Sequence, residues 1–361
     1  MNDQFYMVLD GDARKECGAL KESLEASGLP GMVHCVITSP PYWKQRKYGK
    51  DKLELGNERK VGDYAKNLAD IFDSIPLHPL GSVWVNLGDK RMHGLALAPE
   101  RFAIEMVDRG WKLMDKVVWT KSIVIPNKGK CLGHCMIEPA IDRLNGNGWE
   151  IFYRFAKGKK PWSDTCSIRM PRENVMAEPY MPPEAMETIT SINGRHRPNA
   201  WQIKMGQTYE KHYAVFPPML CEVPVAMTCP LFTSLDGNKL ETRIVEFVEY
   251  DEKRAKRSFG KYHNEQVGNE LSDKSGRQDT GRGYIPKMPE TKGFTDVGPD
   301  TGRGIVLDPF CGTGTVGQVA LRMGRSFVGM ELYEWNAEIS KVKCRRELDM
   351  ARDVNFRAGR I

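Results

Sequence analysis

The sequence predicts an α/β protein built on a Rossmann-like, doubly wound, mostly parallel sheet. Short β-branched apolar runs alternate with segments of helical period along much of the chain. Two unusual loops, SPPY at 39–42 and PFCGTGTVG at 309–317, each follow directly on one of those runs. With 361 residues, 40% hydrophobic and 28% charged, the chain has enough apolar material for a large core and a globular composition.

The elements follow in order. MVHCVIT (32–38) is a short β-branched run and reads as a buried strand. Tyr64, Leu68, Ile71, Phe72 and Ile75 recur at helical spacing, so DYAKNLADIFDSI is an amphipathic helix. GSVWVNLGD reads as a strand ending in a turn. Residues 99–109 read as a helix, with Pro99 near its start. KLMDKVVWTK and WEIFYRFAK read as strands. The pattern lapses over 159–213, which is rich in Pro, Arg, Met and Asn. It lapses again over 230–303, where Gly, Pro and charges accumulate and part of the chain is expected to be loop. It resumes with the strand GIVLD, the glycine turn, the helix QVALRMG, the strand SFVGMEL and the helix EWNAEISKVKCRREL. No internal repeat is present.

Composition narrows the classes. The net charge of +6 is compatible with a polyanionic partner without demonstrating one. No apolar run approaches the roughly 18 residues of a membrane span. The N-terminal MNDQFYMVLDGD has no basic region followed by an apolar stretch, so no signal peptide is expected. Nine scattered cysteines, with Cys35 and Cys221 inside apolar runs, read as reduced thiols of a cytoplasmic protein. Cys131, His134 and Cys135 in CLGHC are closely spaced. The nearest candidates for a second ligand pair, Cys221 and Cys229, are poorly spaced, so no metal site is expected.

The glycine turn carries the first chemical signal. Gly312-Thr313-Gly314-Thr315-Val316-Gly317 matches G-x-G-x-x-G, between a strand and a helix as that motif requires. Glu331 follows Gly312 by 19 residues, at the end of the next strand, where an acid accepts hydrogen bonds from ribose hydroxyls. An adenosine-type cofactor is therefore expected. No lysine follows the last glycine, so this is not a Walker phosphate loop. A nicotinamide site stays open, although only 44 residues follow Gly317 and most of the sheet must precede it. A close helix–strand crossing that merely needs small residues also stays open.

The proline loop is the second signal. Prolines fix φ and remove backbone donors, so Ser39-Pro40-Pro41-Tyr42 ends its strand in a rigid shape. Doubly wound sheets bind ligands beyond the carboxyl ends of their strands. Strand 32–38 delivers this loop, and strand 304–308 delivers Asp308-Pro309-Phe310 and the glycine turn, to the same edge.

TSPPYW and LDPFCGTGTVG resemble the two signature loops of the amino-methylating DNA methyltransferases, the N4-cytosine/N6-adenine family. In that family a [DNS]-P-P-[YFW] loop is catalytic and a D-P-F-x-G-[ST]-G-T loop binds the cofactor. The catalytic loop comes first here, which looks like the permuted beta order. GSVWVNLGDK, HYAVFPPML and FVGMEL are similar to the strand after the catalytic loop, the methionine-side cofactor segment and the ribose strand. The resemblance implies a class I methyltransferase fold, S-adenosylmethionine as cofactor and double-stranded DNA as partner, with the chain acting as a monomer or homodimer.

It also implies residue roles. Ser39 Oγ and the Pro40 carbonyl would hold an exocyclic amine near tetrahedral geometry, with Pro41 keeping the loop rigid. Tyr42 would stack on the extruded base. Asp12, Asp308, Pro309, Phe310, Gly312, Thr313, Gly314, Thr315, Glu331 and Phe216 form the expected cofactor site, with Gly312 and Gly314 admitting the backbone close to the ligand and Phe310 against the adenine. Asp12 reads equally as an N-terminal turn residue, Asp89 as a loop cap or a helper near the target base, and Phe216 as a buried phenylalanine. The expected division is 1–158 for the catalytic part, 159–213 for target recognition, 214–229 with 304–361 for the cofactor part, and 230–303 for an insertion. Arg169, Arg172, Arg195 and Arg197 are the candidate DNA contacts. Members beginning S-P-P-Y mostly modify cytosine N4, so that base is expected before adenine N6. The rivals of other classes are an NAD-dependent oxidoreductase and an inactive nucleic-acid-binding module.

Overall fold

The computed structural model describes residues 4–45, 54–92, 94–125, 130–133, 148–169, 197–203, 217–249 and 287–357. Two compact units account for the chain. The first takes Met1–Asp164, Pro198–Glu241 and Asp296–Ile361; the second takes Thr165–Arg197 and Thr242–Thr295.

The first unit starts with β1 (Tyr6–Asp10), α1 (Ala13–Ala26), β2 (Val33–Thr38), α2 (Val61–Ser74) and β3 (Leu77–Leu87). It continues with α3 (Ala98–Asp108), β4 (Lys112–Thr120), the hairpin strands β5 (Ser122–Ile125) and β6 (Lys130–Gly133), and β7 (Trp149–Ala156). Then come β8 (Ala200–Gln202), α4 (Pro218–Thr228) and β9 (Phe232–Ser234). The second unit contributes β10 (Arg243–Glu249) and β11 (Lys287–Phe294), paired antiparallel. The first unit closes with β12 (Thr301–Arg303), β13 (Ile305–Asp308), α5 (Thr315–Arg322), β14 (Ser326–Glu331) and α6 (Glu334–Arg357).

Eight strands form the central sheet in the order β1-β14-β13-β2-β3-β7-β4-β8. The pairings from β1 through β3 are all parallel. β7 runs antiparallel between β3 and β4, and β8 is parallel to β4. The fold is the α/β, mostly parallel sheet that the sequence predicts. Every residue of β2, β13 and β14 is buried, as central parallel strands covered on both faces require. Side-chain alternation divides the faces. Val36, Val83 and Val85 join the core shared with α1, α2 and α3. Cys35 and Trp84 point to the other face, where both contact Thr228 of α4. On that face α5 packs against α4 and α6.

β2 and β13 are neighbours, with Val306 opposite Cys35 and Leu307 opposite Val36. From β2 the chain winds through α2 to β3, and from β13 it winds through α5 to β14 on the other side. The winding therefore reverses between these two strands, which opens a crevice at their carboxyl ends.

Several elements were not expected, among them β1, α1 and α4. Tyr6-Met7-Val8-Leu9 is short for a strand signal, and it becomes one by pairing with Phe327–Glu331 at the other end of the chain. α1 is mostly polar and is held by a sparse stripe of Ala13, Cys17, Leu20 and Leu24. The stretch 230–303, expected to be partly loop, is folded at both ends. β9 pairs with β12, and the carbonyls of Gly237 and Asn238 lie 3.1 Å and 3.2 Å from the Nε2 atoms of His34 and His78.

Candidate active site

The site begins where β2 and β13 end. Thr38 Oγ1 donates to Asp308 Oδ1 at 2.6 Å, which clamps the carboxyl ends of the two strands together. The same oxygen accepts the Phe310 N–H at 3.0 Å and so shapes the start of the glycine turn. Asp308 is 3% exposed. Burial pushes its carboxyl up to about 7, with the Glu331 charge adding to the rise and the two hydrogen bonds opposing it.

The 39–42 loop is braced from several sides. Tyr64 of α2 donates its hydroxyl to the Pro41 carbonyl at 3.0 Å. Lys44 N–H donates to the Gly56 carbonyl at 2.8 Å. Gly56 has φ +94°, and a Cβ there would lie 2.9 Å from the Tyr42 carbonyl, so the 54–58 segment fits against the loop because this position is glycine. Pro40 is buried, and among the described residues its carbonyl receives no hydrogen bond.

Behind the loop lies a polar network that sequence reasoning did not find. The Tyr42 hydroxyl donates to Glu150 Oε2 at 2.8 Å and accepts from Asn86 Nδ2 at 2.7 Å. It also lies 3.2 Å from Ser39 Oγ. Asn86 Nδ2 donates to Glu150 Oε2 at 2.6 Å, and Lys121 Nζ pairs with Glu150 Oε1. The Tyr42 ring sits beside Gly88, where a Cβ would come within 2.8 Å of it. The available signal was polar residues in apolar strands: Asn86 in VWVNL is buried and Glu150 in WEIFYRFA is largely shielded, and such groups require partners. Asp89 accepts from the N–H groups of Lys90, Leu97 and Ala98 at 2.9, 2.9 and 3.1 Å, so of its two readings the structure shows the loop cap.

In the glycine turn, Glu331 holds the loop from the end of β14. It accepts from Gly312 N–H at 2.9 Å, Tyr333 N–H at 3.0 Å and Asn336 Nδ2 at 3.4 Å. It is 8% exposed, and burial raises its carboxyl above the ordinary value. The three glycines have different reasons. Gly314 (φ +84°) precedes α5, and a Cβ there would meet Cα and Cβ of Ser340 at 3.0 Å. At Gly317 a Cβ would meet Cys344 Sγ and the Phe327 ring at 2.6 Å. Both serve the close packing of the turn and α5 on α6 and β14. Gly312 (φ +50°) has nothing within 4 Å of its Cβ position. The position whose Cβ direction is open is therefore Gly312, while packing against Ser340 gives Gly314 a reason of its own to be glycine.

The neighbouring residues complete the edge. Pro309 is buried, Phe310 packs partly against the core, Thr313 is half-buried, and Thr315 starts α5. Gly11 N–H donates to the Glu331 carbonyl at 2.9 Å, which sets Asp12 alongside. The Asp12 carboxylate caps α1 through Arg14 N–H at 3.0 Å and pairs with the Arg14 guanidinium. The Cys311, Cys221 and Cys229 thiols are pushed well up by burial, which suits inert buried cysteines.

Phe216, Arg172 and Arg195 lie outside the described residues, as do His134 and Cys135 and the side chain of Cys131. Arg169 and Arg197 belong to the second unit, where Arg197 Nε donates to the Ile168 carbonyl at 3.4 Å. Among the described residues there is no group of three or more His, Cys, Asp or Glu placed to hold a metal, and no helix long and apolar enough to cross a membrane.

Comparison with known proteins shows the family. A family model described as DNA methylase matches residues 33–278 and 291–342. The type II methyltransferase M.SmaI of Serratia marcescens is 24% identical over 371 aligned positions, covering 94% of this chain and 90% of that protein. The type II methyltransferase M.SfiI of Streptomyces fimbriatus is 30% identical over 161 positions, covering 39% of this chain and 35% of its own. Among solved structures, the PvuII DNA methyltransferase (cytosine-N4-specific) is 18% identical with a TM-score of 0.49, over 97% of this chain and 93% of that one.

Proposed function

The chain belongs to the N6/N4 DNA methylase family, and on that premise we propose that it is a site-specific methyltransferase acting on the exocyclic amine of a flipped base in double-stranded DNA, cytosine N4 before adenine N6. The observation that carries this reading is the Thr38–Asp308 clamp, 2.6 Å long, which sets the proline loop and the glycine turn side by side.

The residues of the turn suit the family's cofactor. S-Adenosylmethionine supplies an electrophilic methyl group when bound. Gly312 offers it an open backbone face. Glu331 stands at the end of β14 with its carboxylate oriented by the Gly312 and Tyr333 N–H groups, and is proposed to accept a ribose hydroxyl. Phe310 provides an apolar surface, and Pro309, Thr313 and Thr315 set the course of the loop. Phe216 is proposed for the methionine end, from its sequence neighbourhood alone. Asp12 stands beside Glu331 and belongs to the proposed site through its place rather than through a free carboxylate.

On the substrate side, an exocyclic amine is a poor nucleophile because its lone pair is delocalised into the ring. Ser39 Oγ and the Pro40 carbonyl accept its two N–H groups and hold it toward tetrahedral geometry. The prolines keep these acceptors in place, so no reorganisation is needed during reaction. Extruding the base costs a few kcal/mol, and stacking on Tyr42 offsets part of that.

The preference for cytosine rests on serine at the first loop position. The loop order fits the family's permuted arrangement. Residues 159–213 are proposed to read the target, with Arg169, Arg172, Arg195 and Arg197 as contacts to guanine edges or phosphates. The chain is proposed to work as a monomer or homodimer.

The test is mass spectrometry of nucleosides from genomic DNA treated with the full chain and methyl-deuterated S-adenosylmethionine. Labelled N4-methylcytosine is the expected product. Labelled N6-methyladenine alone overturns the base assignment and leaves the reaction standing. Absence of any labelled nucleoside overturns the proposed function.

A further inference from the structure

The network behind the proline loop has a direction, and that direction determines what Ser39 offers to a substrate. Asn86 near the end of β3 is 1% exposed, and the side chains of Lys121 and Glu150 are each 12% exposed. Glu150 is ion-paired with Lys121, and a carboxylate only accepts hydrogen bonds. Tyr42 has a single hydroxyl proton. At 2.8 Å from Glu150 Oε2 that proton is committed to the carboxylate. The Tyr42 oxygen is then an acceptor toward its other neighbours. It takes one N–H from Asn86 Nδ2 at 2.7 Å. In its contact with Ser39 Oγ, at 3.2 Å, Ser39 must be the donor. Its proton is thereby directed to Tyr42, and its lone pairs stay available.

We propose that Glu150, anchored by Lys121, is a positioning residue that acts through the Tyr42 phenol to present Ser39 Oγ to the target amine purely as an acceptor.

A second observation supports this polarity. Asn86 Oδ1 is buried and, among the described residues, has no hydrogen-bond partner. Turning the amide over would set that oxygen against Glu150 Oε2, two acceptors at the 2.6 Å now spanned by a hydrogen bond. The amide therefore keeps its donors on Glu150 and Tyr42 and leaves its own oxygen unpaired, a buried orphan that calls for such a reason.

The inference rests on the proposed function, in which Ser39 receives the amine, and its test separates the two. Glu150→Gln keeps the volume. Because Lys121 only donates, it takes the new amide oxygen, and an NH₂ then faces Tyr42 and reverses the chain of donors. Tyr42→Phe keeps the ring and the Glu150–Lys121 pair but removes the acceptor for the Ser39 proton, so it serves even if Glu150→Gln fails to fold. Single-turnover methyl transfer to genomic DNA, with the full chain in excess, reads the effect, and calorimetry reads S-adenosylmethionine affinity. Each variant is expected to slow transfer about tenfold to a hundredfold with unchanged cofactor affinity. Neither is expected to slow the Ser39→Ala protein further, whereas a merely structural role would still do so. Additive losses in the Ser39→Ala background, or wild-type rates in both single variants, overturn the inference alone. A wild-type rate for Ser39→Ala overturns the account of Ser39 and this inference with it.

Discussion

Asp308→Asn isolates the cost of burying a carboxyl group at the floor of the crevice. In the folded chain burial raises this carboxyl from its ordinary 3.8 to about 7. Below the ordinary value the group is protonated whether the chain is folded or not. As pH rises from about 4 to 7, the unfolded chain releases the proton and the folded chain retains it, so stability falls. The loss is complete once pH passes the folded value, and it amounts to about 4 kcal/mol. Asparagine keeps an oxygen for the Thr38 hydroxyl and the Phe310 N–H. Its amide hydrogens enter a buried site and cost about 1–3 kcal/mol if unpaired. The advantage of the variant over the wild type should therefore grow by about 3 kcal/mol between pH 5 and pH 8. Urea unfolding of the cofactor-free protein across that range measures it, with Glu331 titrating in both proteins. A difference that stays constant to within about 0.5 kcal/mol would refute the assignment of a proton to Asp308.

The two glycines make an opposed pair. Gly314→Ala combines a left-handed backbone with a clash against Ser340, and should cost about 2–4 kcal/mol in urea unfolding. Wild-type stability would refute the packing account. Gly312→Ala meets only open space, so it should cost about 1 kcal/mol while weakening S-adenosylmethionine binding in calorimetry. Unchanged affinity would move the cofactor away from that face. Tyr42→Ala should impair capture of the flipped base more than docking to duplex. A 2-aminopurine at the target position, once single-molecule sequencing of methylated DNA has located it, would keep its full fluorescence gain if the ring does not hold the base.

Much of the fold was legible because its signals are local. β2, α2, α3, β4, β7 and β14 each announce themselves by a period of 2 or 3.6, or by a β-branched run with turn residues at its ends. α5 was legible but misplaced at its start. The helix begins at Thr315, inside the glycine motif, because the left-handed Gly314 turns the chain directly into it. β1 and α1 escaped notice because what stabilises them is distant: a strand partner beginning at Phe327 and a sheet face formed by other segments.

The sequence by itself determined the alternation of strands and helices, the two loops with their chemistry, and the acid at the end of the strand after the glycine turn. These depend on backbone stereochemistry and on residues within a few positions of one another. Tertiary structure alone decided that Thr38 meets Asp308 across 270 residues of chain, and that Tyr42 meets Glu150 across 108. It also decided which glycine faces open space and which faces a helix. Such pairings exist only when sheet order brings remote strand ends together. A buried polar residue in the sequence declares that it needs a partner, but only packing determines which partner it finds.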